Sequence, residues 1–217
     1  VLKPAESTPI SLLILTELIA DLPHPGVLNI VNGFGREAGM PLATSKRIAK
    51  IAFTGSTTTG RVIAQAAANN LIPATLELGG KSPTIVGPGA DIDLAAKWIA
   101  FGKFINAGQT CIAPDYVLLP RGREAEFSQA YQAAVARLFP SIEGNPDYAS
   151  IITPRHYARL RTMLQQAQTQ GAEVHTIDPA SGKPVAATVG TLGDGASRQM
   201  LPSLVFGATP AMALMQE

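Results

Sequence analysis

The chain has one cysteine, Cys111, in 217 residues, so an internal disulfide is excluded, and a chain of this length without one suits a reducing compartment. Histidine is scarce too. No His/Cys/carboxylate spacing around His24, His156 and His175 resembles a ligand set, so no metal site is expected. Nothing in the sequence brings one of them to Cys111, which leaves a Cys-His hydrolase unsupported. Charge of one sign is also missing: 17 basic against 16 acidic side chains leave +1, without the clustered positive charge that a nucleic-acid backbone needs. The longest apolar run, residues 10–20, is broken by Ser11, Thr16 and Glu17 and is too short to cross a bilayer. The first six residues lack the basic, apolar, small order of a signal peptide, so the expected location is cytoplasmic. Internal repeats are absent, and the segment at 53–60 lacks a Gly-x-Gly-x-x-Gly fingerprint and, with no Lys-Ser/Thr pair directly after Gly60, a P-loop.

What is present is enough apolar sequence, 46%, to bury a core. Short β-branched runs alternate with amphipathic stretches. Helices are expected after a Ser7-Thr8-Pro9 start to residue 20, over 36–46 with Pro41 as an interruption, and over 58–69, 91–105, 124–138 and 155–170. Strands are expected at 27–31, 48–53, 74–78, 84–86, 116–119, 173–177 and 203–206, with a glycine-rich, irregular stretch at 181–197. This alternation predicts an α/β architecture with mostly parallel pairing. The boundary falls at Leu78-Gly79-Gly80. The first unit then holds only three clear strands, few for a doubly wound nucleotide fold.

Three segments could carry chemistry. Phe53-Thr54-Gly55-Ser56-Thr57-Thr58-Thr59-Gly60 runs from strand through small residues into a helix, a turn whose N–H groups suit a pyrophosphate. Alone, it reads first as an ordinary capped turn. In Leu76-Glu77-Leu78-Gly79-Gly80-Lys81, a glutamate closes an apolar strand. Burial would raise its pKa toward the range of a general base, although a surface glutamate before a turn is the simpler reading. In Asn106-Ala107-Gly108-Gln109-Thr110-Cys111, the cysteine follows a helix and a glycine turn. Most lone cysteines are inert, and a catalytic thiol needs help to ionise.

Taken together and in this order, these segments resemble the signatures of the aldehyde dehydrogenase superfamily. Cys111 follows Glu77 by 34 residues, as in that family. Lys3-Pro4-Ala5-Glu6 resembles its Lys-Pro-x-Glu segment, and Gly26-Val27-Leu28-Asn29-Ile30-Val31 the strand after it. Cys111-Ile112-Ala113-Pro114-Asp115-Tyr116-Val117-Leu118 and Asn69-Asn70-Leu71-Ile72-Pro73 look most like the class 3 and coniferyl-aldehyde branch.

The resemblance implies part of a Rossmann-like NAD(P)-binding domain at 1–79, followed by part of an α/β catalytic domain at 80–217. It implies that Cys111 attacks the aldehyde carbonyl, that hydride transfer to nicotinamide leaves a thioester, and that Glu77 activates the hydrolytic water. It also implies Lys3 and Glu6 at the adenosine ribose, Ser56 at the pyrophosphate with Gly55 allowing close approach, and Thr54 and the Leu78 main chain near the nicotinamide. NAD is the expected cofactor and NADP the second choice, since Glu6 repels a 2′-phosphate that Lys3 would attract. A small-molecule aldehyde is the expected partner, and the full-length protein is expected to be a homodimer or homotetramer. The family's oxyanion asparagine and its Glu-x-Phe-Gly-Pro motif would lie before Lys3 and after Glu217, so an internal piece, inactive alone, is expected. The alternatives are a truncated or non-catalytic partner chain, and a relative that acylates coenzyme A or reduces an acyl phosphate. Glu77 argues against the last two, because neither needs a hydrolytic base there.

Overall fold

The structure, a computed structural model, describes residues 1–21, 24, 26–180, 183–185 and 196–216. Most of the glycine-rich stretch expected at 181–197, and Glu217, lie outside the described residues. The chain divides into two compact units, Val1–Leu78 and Gly79–Glu217.

In the first unit, α1 (Ile10–Leu18) begins one residue after Pro9. The expected Ser7-Thr8 cap does not form: Pro9 itself occupies the N-cap position, and no side chain caps the helix. None of its residues is buried, and Ile10, Leu13, Ile14, Leu15 and Leu18 are exposed. The strand expected at 27–31 is reduced to one parallel bridge, Leu2 to Ile30, with N–H···O bonds of 2.8 and 3.0 Å. Pro4, two residues past Leu2, has no N–H with which to continue the ladder. Where an interrupted helix was expected at 36–46, a π-turn at Gly35–Gly39 leads into α2 (Met40–Thr44). Pro41 falls in the first turn of α2, where its missing N–H costs nothing.

β1 (Ile51–Thr54), α3 (Thr57–Asn69) and β2 (Ala74–Glu77) form a strand-helix-strand unit, with β1 and β2 parallel from Ile51↔Ala74 to Thr54↔Glu77. Ala43, Ile63 and Ala66 form a small core, packed against Ile51, Phe53 and Leu76. α3 ends in a Schellman arrangement: Ile72 N–H reaches Ala67 O and Leu71 N–H reaches Ala68 O, both at 3.1 Å. The left-handed residue that this closure requires is Leu71, at φ 53° and 94% exposed.

The second unit opens with β3 (Ser82–Ile85), which pairs in parallel with β4 (Pro114–Leu118) across α4 (Ile92–Phe104). Asp91, the first residue of the expected helix, starts α4 by accepting the Leu94 N–H at 3.0 Å. α5 (Glu124–Leu138) lies against α4. Phe127, Ala130, Tyr131, Ala134 and Val135 of α5 meet Ile99, Ala100 and Phe104 of α4 in the main core. Tyr148 joins this core, and its buried hydroxyl donates to Met200 O at 2.8 Å. α6 (Pro154–Thr169), capped by Thr153, leads to a sheet ordered β6-β5-β7: β5 is Glu173–Asp178, β6 Lys183–Val185 and β7 Ser203–Phe206. This sheet is antiparallel throughout, a correction to the mostly parallel expectation. The 173–177 and 203–206 runs were legible as strands, but direction is a property of pairing rather than of either run.

Candidate active site

The turn that carries Cys111 joins α4 to β4. α4 stops at Phe104, and the chain then takes two left-handed residues, Ala107 at φ 49° and Gly108 at φ 78°. Gln109 N–H bonds Asn106 O at 2.9 Å, closing a first tight turn, and Ala113 N–H bonds Thr110 O at 3.0 Å, closing a second that contains Cys111. The thiol is free and exposed. It therefore stands outside the core that holds most lone cysteines.

Two glycines make this geometry feasible. A Cβ on Gly80 would stand 2.9 Å from Cys111 O, closer than side-chain carbons come to a backbone oxygen. Gly108 lies over Lys103, whose Cε and Nζ would be 2.9 and 3.3 Å from a Cβ there. Gly80→Ala is accordingly expected to push the Cys111 carbonyl away and to slow alkylation of Cys111 by iodoacetamide about tenfold, because displacements well below an ångström already impair reactive geometry. An unchanged alkylation rate in the folded variant would show that the close approach is without consequence.

Charged groups at this end of the second unit were not singled out from the sequence. Lys81 Nζ forms an ion pair with Asp115 at 2.5 Å and donates to Leu214 O at 2.6 Å. Burial holds the Lys103 ammonium below the usual lysine range, opposed by the Asp115 charge and reinforced by Lys81. The available signals were a lysine within the apolar helix ending at Phe104 and an aspartate at the second position of a strand.

Glu77 ends β2 in the first unit and is exposed, whereas the base reading had considered burial. Its carbonyl accepts the Gly55 N–H at 3.0 Å, which ties the end of β2 to the turn after β1. In that turn Ser56 is the N-cap of α3: its hydroxyl accepts the Thr59 N–H at 3.2 Å and lies 3.0 Å from Thr59 Oγ1. Gly55 makes room for the Phe53 ring, whose Cζ would stand 2.5 Å from a Cβ at Gly55. The Leu78 side chain packs on Gly60, where a Cβ would come within 2.6 Å of Cδ2. Thr54, Gly55, Ser56 and Leu78 are thus gathered around one strand-to-helix turn. Lys3 and Glu6 form a second group. Lys3 Nζ donates to Pro4 O at 2.6 Å and Gly33 O at 3.1 Å, and lies 3.7 Å from Glu6.

The aldehyde dehydrogenase family profile matches residues 1–217. A coniferyl aldehyde dehydrogenase of a Pseudomonas species is 40% identical over 216 residues, covering 100% of this chain and 43% of that protein. Among solved structures, succinate-semialdehyde dehydrogenase from Burkholderia pseudomallei superposes with a TM-score of 0.85 at 28% identity, over 100% of this chain and 43% of that one. An NAD+ complex of an aldehyde dehydrogenase from Bacillus cereus gives a TM-score of 0.79 at 30% identity, over 99% and 42%. The chain spans less than half the length of these relatives. With its three signature segments in order, its α/β units superposing on solved members and the family profile matched from the first residue to the last, the chain belongs to the aldehyde dehydrogenase family.

Proposed function

We propose that the complete protein oxidises an aldehyde to its carboxylic acid, with Cys111 as nucleophile and Glu77 as general base. The observation that carries this reading is the exposure of the sole thiol on a tight turn built around Gly80 and Gly108. Cys111 Sγ adds to the carbonyl carbon, giving a thiohemiacetal. Nicotinamide, when bound, supplies the two-electron oxidant that takes this adduct to a thioester. Glu77 then accepts a proton from water, the hydroxyl oxygen bonds to the acyl carbon, and the thiolate leaves.

The first unit has a donor set that fits a dinucleotide. Lys3 is half-buried beside Glu6, and the Gly33 carbonyl that holds it borders an open cavity of about 410 Å³ lined by Val31, Ala38, Pro41 and Leu42. The thirteen-residue helix α3 presents its positive end at Ser56. In this reading Lys3 and Glu6 hold the adenosine ribose, and Ser56, with Gly55, holds the pyrophosphate. Thr54 and the Leu78 main chain lie near the nicotinamide. The 1–79 segment is then cofactor-binding and 80–217 catalytic. Because Glu6 offsets the Lys3 charge, NAD is preferred to NADP. The identity to a coniferyl aldehyde dehydrogenase supports an aromatic aldehyde of that kind as substrate. A homodimer or homotetramer in the cytoplasm completes the proposal. Among the described residues no helix is long and apolar enough to cross a membrane.

The test is an assay of the full-length enzyme with coniferyl aldehyde, acetaldehyde and octanal, each with NAD and with NADP. Reduced cofactor and free carboxylic acid should form in equal amounts, fastest with coniferyl aldehyde and NAD. Acid formation strictly dependent on coenzyme A would instead assign the acyl-transferring branch.

A further inference from the structure

One side chain ties the Cys111 turn to a distant stretch of main chain. Gln109 Nε2 donates to Ser150 O at 3.1 Å, and Gln109 Oε1 accepts the Ile152 N–H at 2.9 Å. The amide so matches both groups that one edge of residues 150–152 presents, as a neighbouring strand would. The other edge is held as well. Ile151 N–H donates to Arg198 O at 2.9 Å, and Arg198 Nε donates back to Ile151 O at 2.9 Å. Arg198 sits at φ 54°, a left-handed conformation that a non-glycine residue keeps only where its surroundings hold it. Beside it, the buried Gln199 donates to Asn145 O at 2.8 Å and Tyr148 O at 3.0 Å and accepts the Gly144 N–H at 2.9 Å. Residues 150–152 are therefore fixed through Arg198 and Gln199 to the segment of Tyr148, which is part of the main core.

The turn that Gln109 belongs to includes two consecutive left-handed residues, one of them an alanine. Within the turn, Asn106 O accepts from Gln109 N–H at 2.9 Å and from Gln109 Nε2 at 3.3 Å, and the tie to residues 150–152 adds the only hold from outside that the Gln109 side chain makes among the described residues. We propose that Gln109 is a positioning residue for Cys111: its two-sided bond to residues 150–152 holds the 106–110 turn in the single conformation from which the thiol reacts. This rests on Cys111 being the nucleophile. Glutamine is the side chain the geometry requires. Glutamate at neutral pH keeps the acceptor for Ile152 but loses the donor to Ser150, and asparagine is one methylene shorter.

The proposal is tested in the full-length enzyme with Gln109→Glu and Gln109→Ala, following Cys111 alkylation by iodoacetamide, kcat, KM for NAD and the thermal midpoint. The expected result is a loss of about 10- to 100-fold in both alkylation rate and kcat, with KM for NAD and the midpoint as in the parent enzyme. For Gln109→Glu, the alkylation rate relative to the parent should climb as pH falls toward about 5, since a protonated carboxyl regains the donor to Ser150 O. If Gln109→Ala does not fold, the near-isosteric Gln109→Glu carries the test. Alkylation and kcat within about twofold of the parent would overturn the proposal, as would losses that only track a falling midpoint. Turnover surviving in Cys111→Ala would overturn the nucleophile reading instead, so the two failures are distinguishable.

Discussion

Cys111→Ala in the full-length enzyme is expected to abolish aldehyde oxidation, a fall of about 10⁵- to 10⁶-fold in kcat, while NAD still binds. The size follows from the chemistry: without a sulfur to form the thiohemiacetal there is no tetrahedral adduct to oxidise, and loss of an enzyme nucleophile typically leaves only the residual catalysis of binding and orientation. NAD binding should persist, because the residues assigned to the cofactor lie in the first unit and Cys111 lies in the second. Isothermal titration of NAD into the variant, beside a turnover assay, separates the two effects. Substantial turnover by the alanine variant would remove Cys111 from the nucleophile role and with it the mechanism proposed above.

Glu77→Gln is expected to split the reaction in two. Glutamine preserves the shape and the main-chain bond from Gly55 to the residue 77 carbonyl, but cannot accept a proton from water. Oxidation to the thioester should proceed and hydrolysis should stall. Rapid mixing should show a burst of NADH equivalent to the active sites, then a steady rate slower by about 10²- to 10⁴-fold. A steady rate equal to that of the parent would exclude Glu77 as the base. Disappearance of the burst as well would mean that Glu77 also deprotonates Cys111, which changes its role without moving the site.

Several elements were readable from the chain because their determinants are local. α5 spans the expected residues, 124–138, and α4, expected from residue 91, starts at Ile92 with Asp91 as its N-cap. Elsewhere local preference was overruled. The 27–31 run has strand composition, yet it forms a single bridge, since a strand exists only as far as its neighbour can pair. The close of α3 places Leu71 where glycine is the usual choice; α6 closes in the same way with Gly171 at φ 91°. Composition marks the second of these closures and hides the first.

What the sequence determined by itself was the family: a sole thiol after a glycine turn, a glutamate closing an apolar strand and a small-residue turn opening a helix stand in the order and spacing that tie them to it. Residue identity and spacing along the chain suffice for that. Tertiary structure alone decided which distant groups meet. The Lys81–Asp115 ion pair, the approach of Gly80 to the Cys111 carbonyl and the grip of Gln109 on residues 150–152 join positions 31 to 43 residues apart. No local propensity encodes such contacts. They depend on loops closing and on buried polar groups finding partners once the α4–α5 core has formed, a consequence of the whole unit folding together rather than of any segment.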